Sequence, residues 1–129
     1  MGKTIISQRR LEFKNFQEYN DFVRRSLIYV HTAKDSPMPR ARTEAMLAGC
    51  LIITTRHHDI ANYINSGVNG IIVADNPKEI AQACYTYLID KPHEARAIGK
   101  RGSETAKAKL SPKRWRNQWQ PFINNNLEL

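Results

Sequence analysis

Short apolar runs of strand length alternate along this chain with helix-length segments, and that alternation restricts the possible folds more than any other feature. Leu27 to His31, Leu51 to Thr54 and Ile71 to Val73 are rich in β-branched and aromatic residues, the composition of buried strands. Before the first of them, residues 17 to 26 place Tyr19, Phe22, Val23 and Ser26 at helical spacing, and after it PRARTEAMLAG from Pro39 reads as a helix stopped by Gly49. A further helix is expected over Asp59 to Asn65, closed by the Ser66-Gly67 turn, with Asn69-Gly70 leading into the third strand. Asp75-Asn76-Pro77 then supplies a cap and a first-turn proline for a helix whose apolar face is Ile80, Cys84, Tyr87 and Leu88. Pro92 opens another basic helix. Ser111-Pro112 opens a last, amphipathic one with Trp115, Trp119, Phe122 and Ile123 as its docking stripe, and Pro121 as a potential kink. Strands joined through helix-length crossovers pair in parallel, so the expected fold class is α/β.

With 129 residues, 41% apolar and 25% charged, the chain suits one domain able to bury a core without disulfides or metal. The single domain is expected over 1–129, with 1–10 an N-terminal segment and 111–129 the C-terminal amphipathic helix. No apolar run approaches a membrane span, and Met1 to Arg10 lacks the pattern of a secretory signal, so a cytoplasmic protein is expected. Cys50 and Cys84 have no second ligand pair and read as reduced, packed thiols. The formal net charge of +8 favours anionic partners, and the charge is uneven: residues 91–129 hold nine basic and three acidic groups, against near balance before them.

In α/β sheets ligands gather outside the carboxyl ends of the strands. The segment after His31 reads HTAKDSPMPRARTEAM, a strand-to-helix junction whose free N–H groups and dipole favour an anion. Arg40 and Arg42 add guanidinium groups suited to phosphate, although two arginines in a first turn also make a common solvated face. Glu44 could accept hydrogen bonds from vicinal sugar hydroxyls, or be a surface glutamate. His31 and the His57-His58-Asp59 loop are substrate-contact candidates. No metal site is expected, because neighbouring histidines point apart and no carboxylate cluster accompanies them. Gly2-Lys3-Thr4 lacks the upstream half of a P-loop, and no nucleophile elbow occurs.

The order of landmarks carries a resemblance. Phe13-Lys14-Asn15-Phe16, the helix around Tyr19 to Arg25, the strand Leu27 to Val30, Glu44-Ala45-Met46-Leu47-Ala48-Gly49, Leu51-Ile52-Ile53-Thr54, Asn65 to Val73 and Asn76-Pro77-Lys78-Glu79-Ile80 occur in sequence. From Leu11 to about Trp119 the chain resembles the C-terminal, nucleotide-sugar-binding half of retaining glycosyltransferases of family 4, which have the two-domain GT-B fold. The resemblance implies a Rossmann-like parallel sheet with flanking helices, a partial GT-B C-terminal domain. It implies transfer of a glycosyl group from a nucleotide-sugar, with no cofactor or metal. The family reads its donor with two glutamates spaced as Ser36 and Glu44 are here, so Glu44 is implied at the ribose and Ser36 stands at the other position. Pro37-Met38-Pro39 replaces a Gly-aromatic-Gly turn, placing Met38 beside the donor. His58-Asp59 replaces a Gly-Gly pair, and Asn62 stands where an acidic residue is frequent. Thr43, Arg40, Arg42 and the helix start complete the implied donor site.

The expected partner is therefore a nucleotide-sugar or nucleoside diphosphate, with transfer requiring the acceptor domain and the upstream strand-helix units, which have no counterpart here. A second class fits the substitutions: a noncatalytic assembly module. A third is nucleic-acid binding through Lys107, Lys109, Lys113, Arg114 and Arg116 beside Trp115 and Trp119; no specific nucleic acid is expected, since the tryptophans share an apolar face. An anionic membrane surface is a further partner for the same tail. A truncated parallel sheet exposes a strand edge, which implies a homo-oligomer or a partner chain covering it.

Overall fold

The computed structural model describes residues 12–32, 40–56 and 60–110, together with 113, 116, 117, 119–121 and 124. A three-stranded sheet in the order β1-β2-β3 forms its centre, with β1 Ile28–His31, β2 Leu51–Thr55 and β3 Ile71–Val73. All pairings are parallel, with Ile28 opposite Leu51 and Ile53 opposite Ile71. Helices α1 (Phe16–Arg25), α2 (Arg40–Leu47), α3 (Pro77–Tyr85) and α4 (Pro92–Lys109) flank the strands.

β2 is the centre of the core. All five of its residues are buried, because it is paired on both edges and covered on both faces. The pleat divides them: Ile52 joins Val23, Ala45, Met46, Ile60 and Ile64, whereas Leu51 and Ile53 join Ile71, Ala95 and Ile98. β1 departs from the expected fully buried strand. His31 alone in it is buried, and Val30 is 42% exposed, since β1 is an edge strand with one pairing partner among the described residues.

Local chemistry explains the helix boundaries. Asn15 caps α1 by accepting the Glu18 N–H at 2.9 Å, and Glu18 in turn accepts the Lys14 N–H at 2.8 Å, so two free donors are satisfied at once. α2 ends at Gly49, whose φ of +89° needs a residue without Cβ. Asn76 caps α3 through the Glu79 N–H at 2.9 Å, followed by Pro77.

Two helix expectations are corrected. Within Asp59 to Asn65 the described structure is a single 3-10 turn, Ile60–Asn62. The Asn69 side chain accepts the Asn65 N–H at 2.7 Å and donates to the Tyr63 carbonyl at 2.9 Å, taking backbone groups that a continuing helix would have used. Beyond α3, Thr86–Asp90 form a π-helical turn. Its wider winding breaks the 3.6-residue register, so Ile80, Cys84 and Tyr87 are half-buried while Leu88 turns outward.

Cys50 and Cys84 are free thiols. Cys50 donates to the Val23 and Ser26 carbonyls at 3.2 and 3.3 Å, and burial raises its pKa. In the C-terminal stretch the described residues are helical, and Trp119 is 48% exposed, so its indole is only half-covered and the expected docking is partial at this position. Ser111, Pro112, Arg114, Trp115, Phe122 and Ile123 lie outside the described residues. No described helix is long and apolar enough to cross a membrane.

Candidate functional site

Because β1 and β2 run parallel, their carboxyl ends open at one pole. His31 closes β1 and Thr54-Thr55 close β2, all buried. The crossover from β1 returns through α2, so the free N–H groups and positive dipole end of α2 lie at this pole. The connecting residues 33–39 and 57–59 lie outside the described residues. With them go Ser36, Met38, His57, His58 and Asp59, whose expected roles have no structural counterpart to report.

The described candidates separate by helix face. Arg40 stands in solvent with its side chain 89% exposed, and its Nε donates to Glu44 Oε1 at 3.1 Å across one turn. Arg42 is 1% exposed, and its positive charge acts on the Tyr29 phenol, lowering its pKa against larger opposing effects. Residues two apart on a helix do not share a face. The structure therefore brings Arg40 to Glu44 and does not place Arg40 and Arg42 together as one clamp. Thr43 is half-buried on the same helix.

Glu44 is the meeting point. Its side chain is 26% exposed, it lies close enough to the Tyr19 hydroxyl for its charge to act on the phenol, and it borders a cleft of about 240 Å³ between α1 and α2. Burial, then the Glu44 charge, raises the Tyr19 pKa above 10.0. Burial and Glu44 likewise raise that of Tyr29. Both phenols therefore remain protonated donors at neutral pH. His31 stacks on Tyr29 with ring centroids 6.2 Å apart and planes at 20°, which fixes the imidazole at the end of β1.

Tyr19 and Tyr29 escaped the sequence reading as site residues. Tyr19 fits the apolar stripe of α1 and Tyr29 fits a strand. Their link to Glu44 is a tertiary contact with no local spacing to announce it. A carboxylate with lone pairs to spare, beside a helix N-terminus, can accept vicinal hydroxyls while the helix end receives an anion. Among the described residues no group of three His, Cys, Asp or Glu could hold a metal ion.

Known structures share this architecture. Anabaena HepE in complex with UDP-glucose superposes with a TM-score of 0.72 at 20% identity, covering 81% of this chain and 29% of that one. The HepE complex with UDP gives 0.73 at 18% identity, over the same shares. Sucrose-phosphate synthase from Thermosynechococcus elongatus gives 0.69 at 22% identity, covering 76% of this chain and 25% of that one. At such identities the likeness establishes the fold, and this chain spans less than a third of either protein's length. No curated protein sequence matches it. The family of glycosyl transferases group 1 matches residues 3–90, well over half of the chain and including β1, β2, β3 and the Glu44 helix. The chain belongs to the group 1 glycosyl transferases.

Proposed function

We propose that this chain binds a nucleoside diphosphate or nucleotide-sugar at the carboxyl pole of β1 and β2, and forms the donor-side part of a retaining glycosyltransferase. The observation that carries the reading is the Glu44 carboxylate, one turn into α2, paired with Arg40, near the Tyr19 phenol and bordering an open cleft. A nucleotide ribose presents two adjacent hydroxyl donors, which a carboxylate with free lone pairs can accept. The helix N-terminus then faces the diphosphate, with Arg40 a mobile cation beside it. HepE, which shares the fold, is known in complexes with UDP-glucose and with UDP, which supports that ligand class. In transfer, this end of the site would stabilise the charge developing on the leaving diphosphate. The hydroxyl of an acceptor substrate would have to be positioned by an acceptor domain, so the 129-residue chain is expected to transfer no sugar alone.

The test is calorimetric titration of UDP into wild type, Glu44→Gln and Arg40→Ala. A hydrogen bond to a charged acceptor contributes about 1.5–3 kcal/mol, so Glu44→Gln should weaken UDP by roughly 10- to 100-fold. Arg40→Ala should weaken UDP more than it weakens uridine. Equal affinity of wild type and Glu44→Gln would overturn the ribose assignment. The absence of binding to any nucleotide would favour the noncatalytic assembly reading, which the prolines at 37 and 39 support by removing two backbone donors.

A further inference from the structure

The opposite pole of the sheet holds a second concentration of charge that the nucleotide reading does not use. A cleft of about 340 Å³ opens at the amino ends of β1 and β2, bordered by Leu27 and Gly49 and walled by Arg24, Arg25, Arg96 and Lys100. No carboxylate lines it among the described residues. Helix electrostatics accounts for half of this arrangement. Arg24 and Arg25 occupy the last turn of α1, where the dipole favours cations. Arg96 and Lys100 have no such reason: they lie away from the last turn of α4, at i and i+4, where like charges repel and destabilise the helix. Four cations from two helices thus converge on one concavity at a cost in folding stability, which an anion would relieve.

The hydroxyls in the cleft narrow the mode of recognition. Ser26 Oγ donates to the Phe22 carbonyl and Ser103 Oγ to the Leu47 carbonyl, both at 2.9 Å, so their protons are already engaged. Binding would fall to the three guanidinium forks and the ammonium, a donor set matched to phosphate oxygens. The volume lies at the lower end of small-molecule sites and exceeds what one inorganic phosphate fills. We propose that this cleft, which meets the Glu44 cleft at Arg24 and Ala48, is a second anion site that takes a diphosphate or phosphate-ester group.

The experiment titrates inorganic pyrophosphate into the full 129-residue chain at constant ionic strength, following thermal unfolding and amide NMR shifts in wild type and in the Arg96→Gln/Lys100→Gln variant. Expected are a higher Tm than chloride produces, shifts at the Ser26, Gly49 and Ser103 amides, and binding weakened roughly tenfold or more in the variant. The variant removes a repulsive pair, so its ligand-free Tm should equal or exceed that of wild type. Were it not to fold, the wild-type amide shifts decide alone. Vesicles of phosphatidylcholine with phosphatidic acid distinguish the sources. Binding to pyrophosphate in solution identifies a free phosphate compound, and binding to vesicles alone, lost in the variant, identifies a lipid headgroup. Shifts confined to the Arg40–Glu44 region, unchanged affinity in the variant, or no binding in either arm would each overturn the proposal, while leaving the crevice reading to its own test.

Discussion

Arg40 and Arg42 occupy one helical turn, yet their environments differ completely, and residue-scale behaviour follows from that difference. Arg40 is solvated and paired across one turn, an arrangement in which solvent screening and side-chain entropy cancel most of the attraction. Arg42 is enclosed beside the Tyr29 side of the sheet, where its removal leaves a cavity and strips partners from the groups it serves. Arg42→Ala should therefore destabilise the fold by about 3 kcal/mol, against less than about 0.5 kcal/mol for Arg40→Ala. Urea denaturation of both variants measures the difference, and equal midpoints would show that Arg42 is not structurally engaged. The proposed phosphate contact therefore falls to Arg40, because Arg42 is enclosed by protein.

At the scale of elements, α4 sets how closely the helical layer approaches the sheet. A Cβ on Gly99 would strike the Gly49 carbonyl oxygen and lie 3.1 Å from the backbone of Cys50 and Leu51, so the helix rests directly on the turn that starts β2. In an exposed helix Gly to Ala gains about 1 kcal/mol. Here the clash is with backbone, which cannot rotate away, and overpacking costs about 1–3 kcal/mol. Gly99→Ala is therefore expected to lower stability despite the better helix former, read as a reduced Tm, and a raised Tm would mean that α4 can lift off the sheet. The sequence foretold α1 to α4 and the three strands from caps, prolines and apolar runs. It failed at Asp59–Asn65 and at Leu88. In both places a local pattern allowed a regular helix, but the Asn69 amide or a π-helical turn redirected the backbone.

For the whole molecule, the open edge is the main consequence of a sheet this small. β1 has no partner on its outer edge among the described residues. Val30 is exposed, and an apolar groove of about 220 Å³ lined by Phe13, Tyr19, Phe22, Ile28 and Tyr29 runs beside it. Unpaired strand groups next to apolar surface favour association. Light scattering should show mass rising with concentration, and Val30→Lys should suppress the rise; a monomer at every concentration would exclude edge pairing. Sequence alone determined the layering of strands and helices, the parallel pairing and the family, because apolar periodicity, caps and turn residues are local and their order along the chain is itself the topology. Tertiary structure decided that Glu44 meets Tyr19, that Arg42 turns inward while Arg40 turns outward, and that Arg24, Arg25, Arg96 and Lys100 surround one cleft. Those outcomes depend on which faces of separate elements pack together, a quantity no single segment encodes.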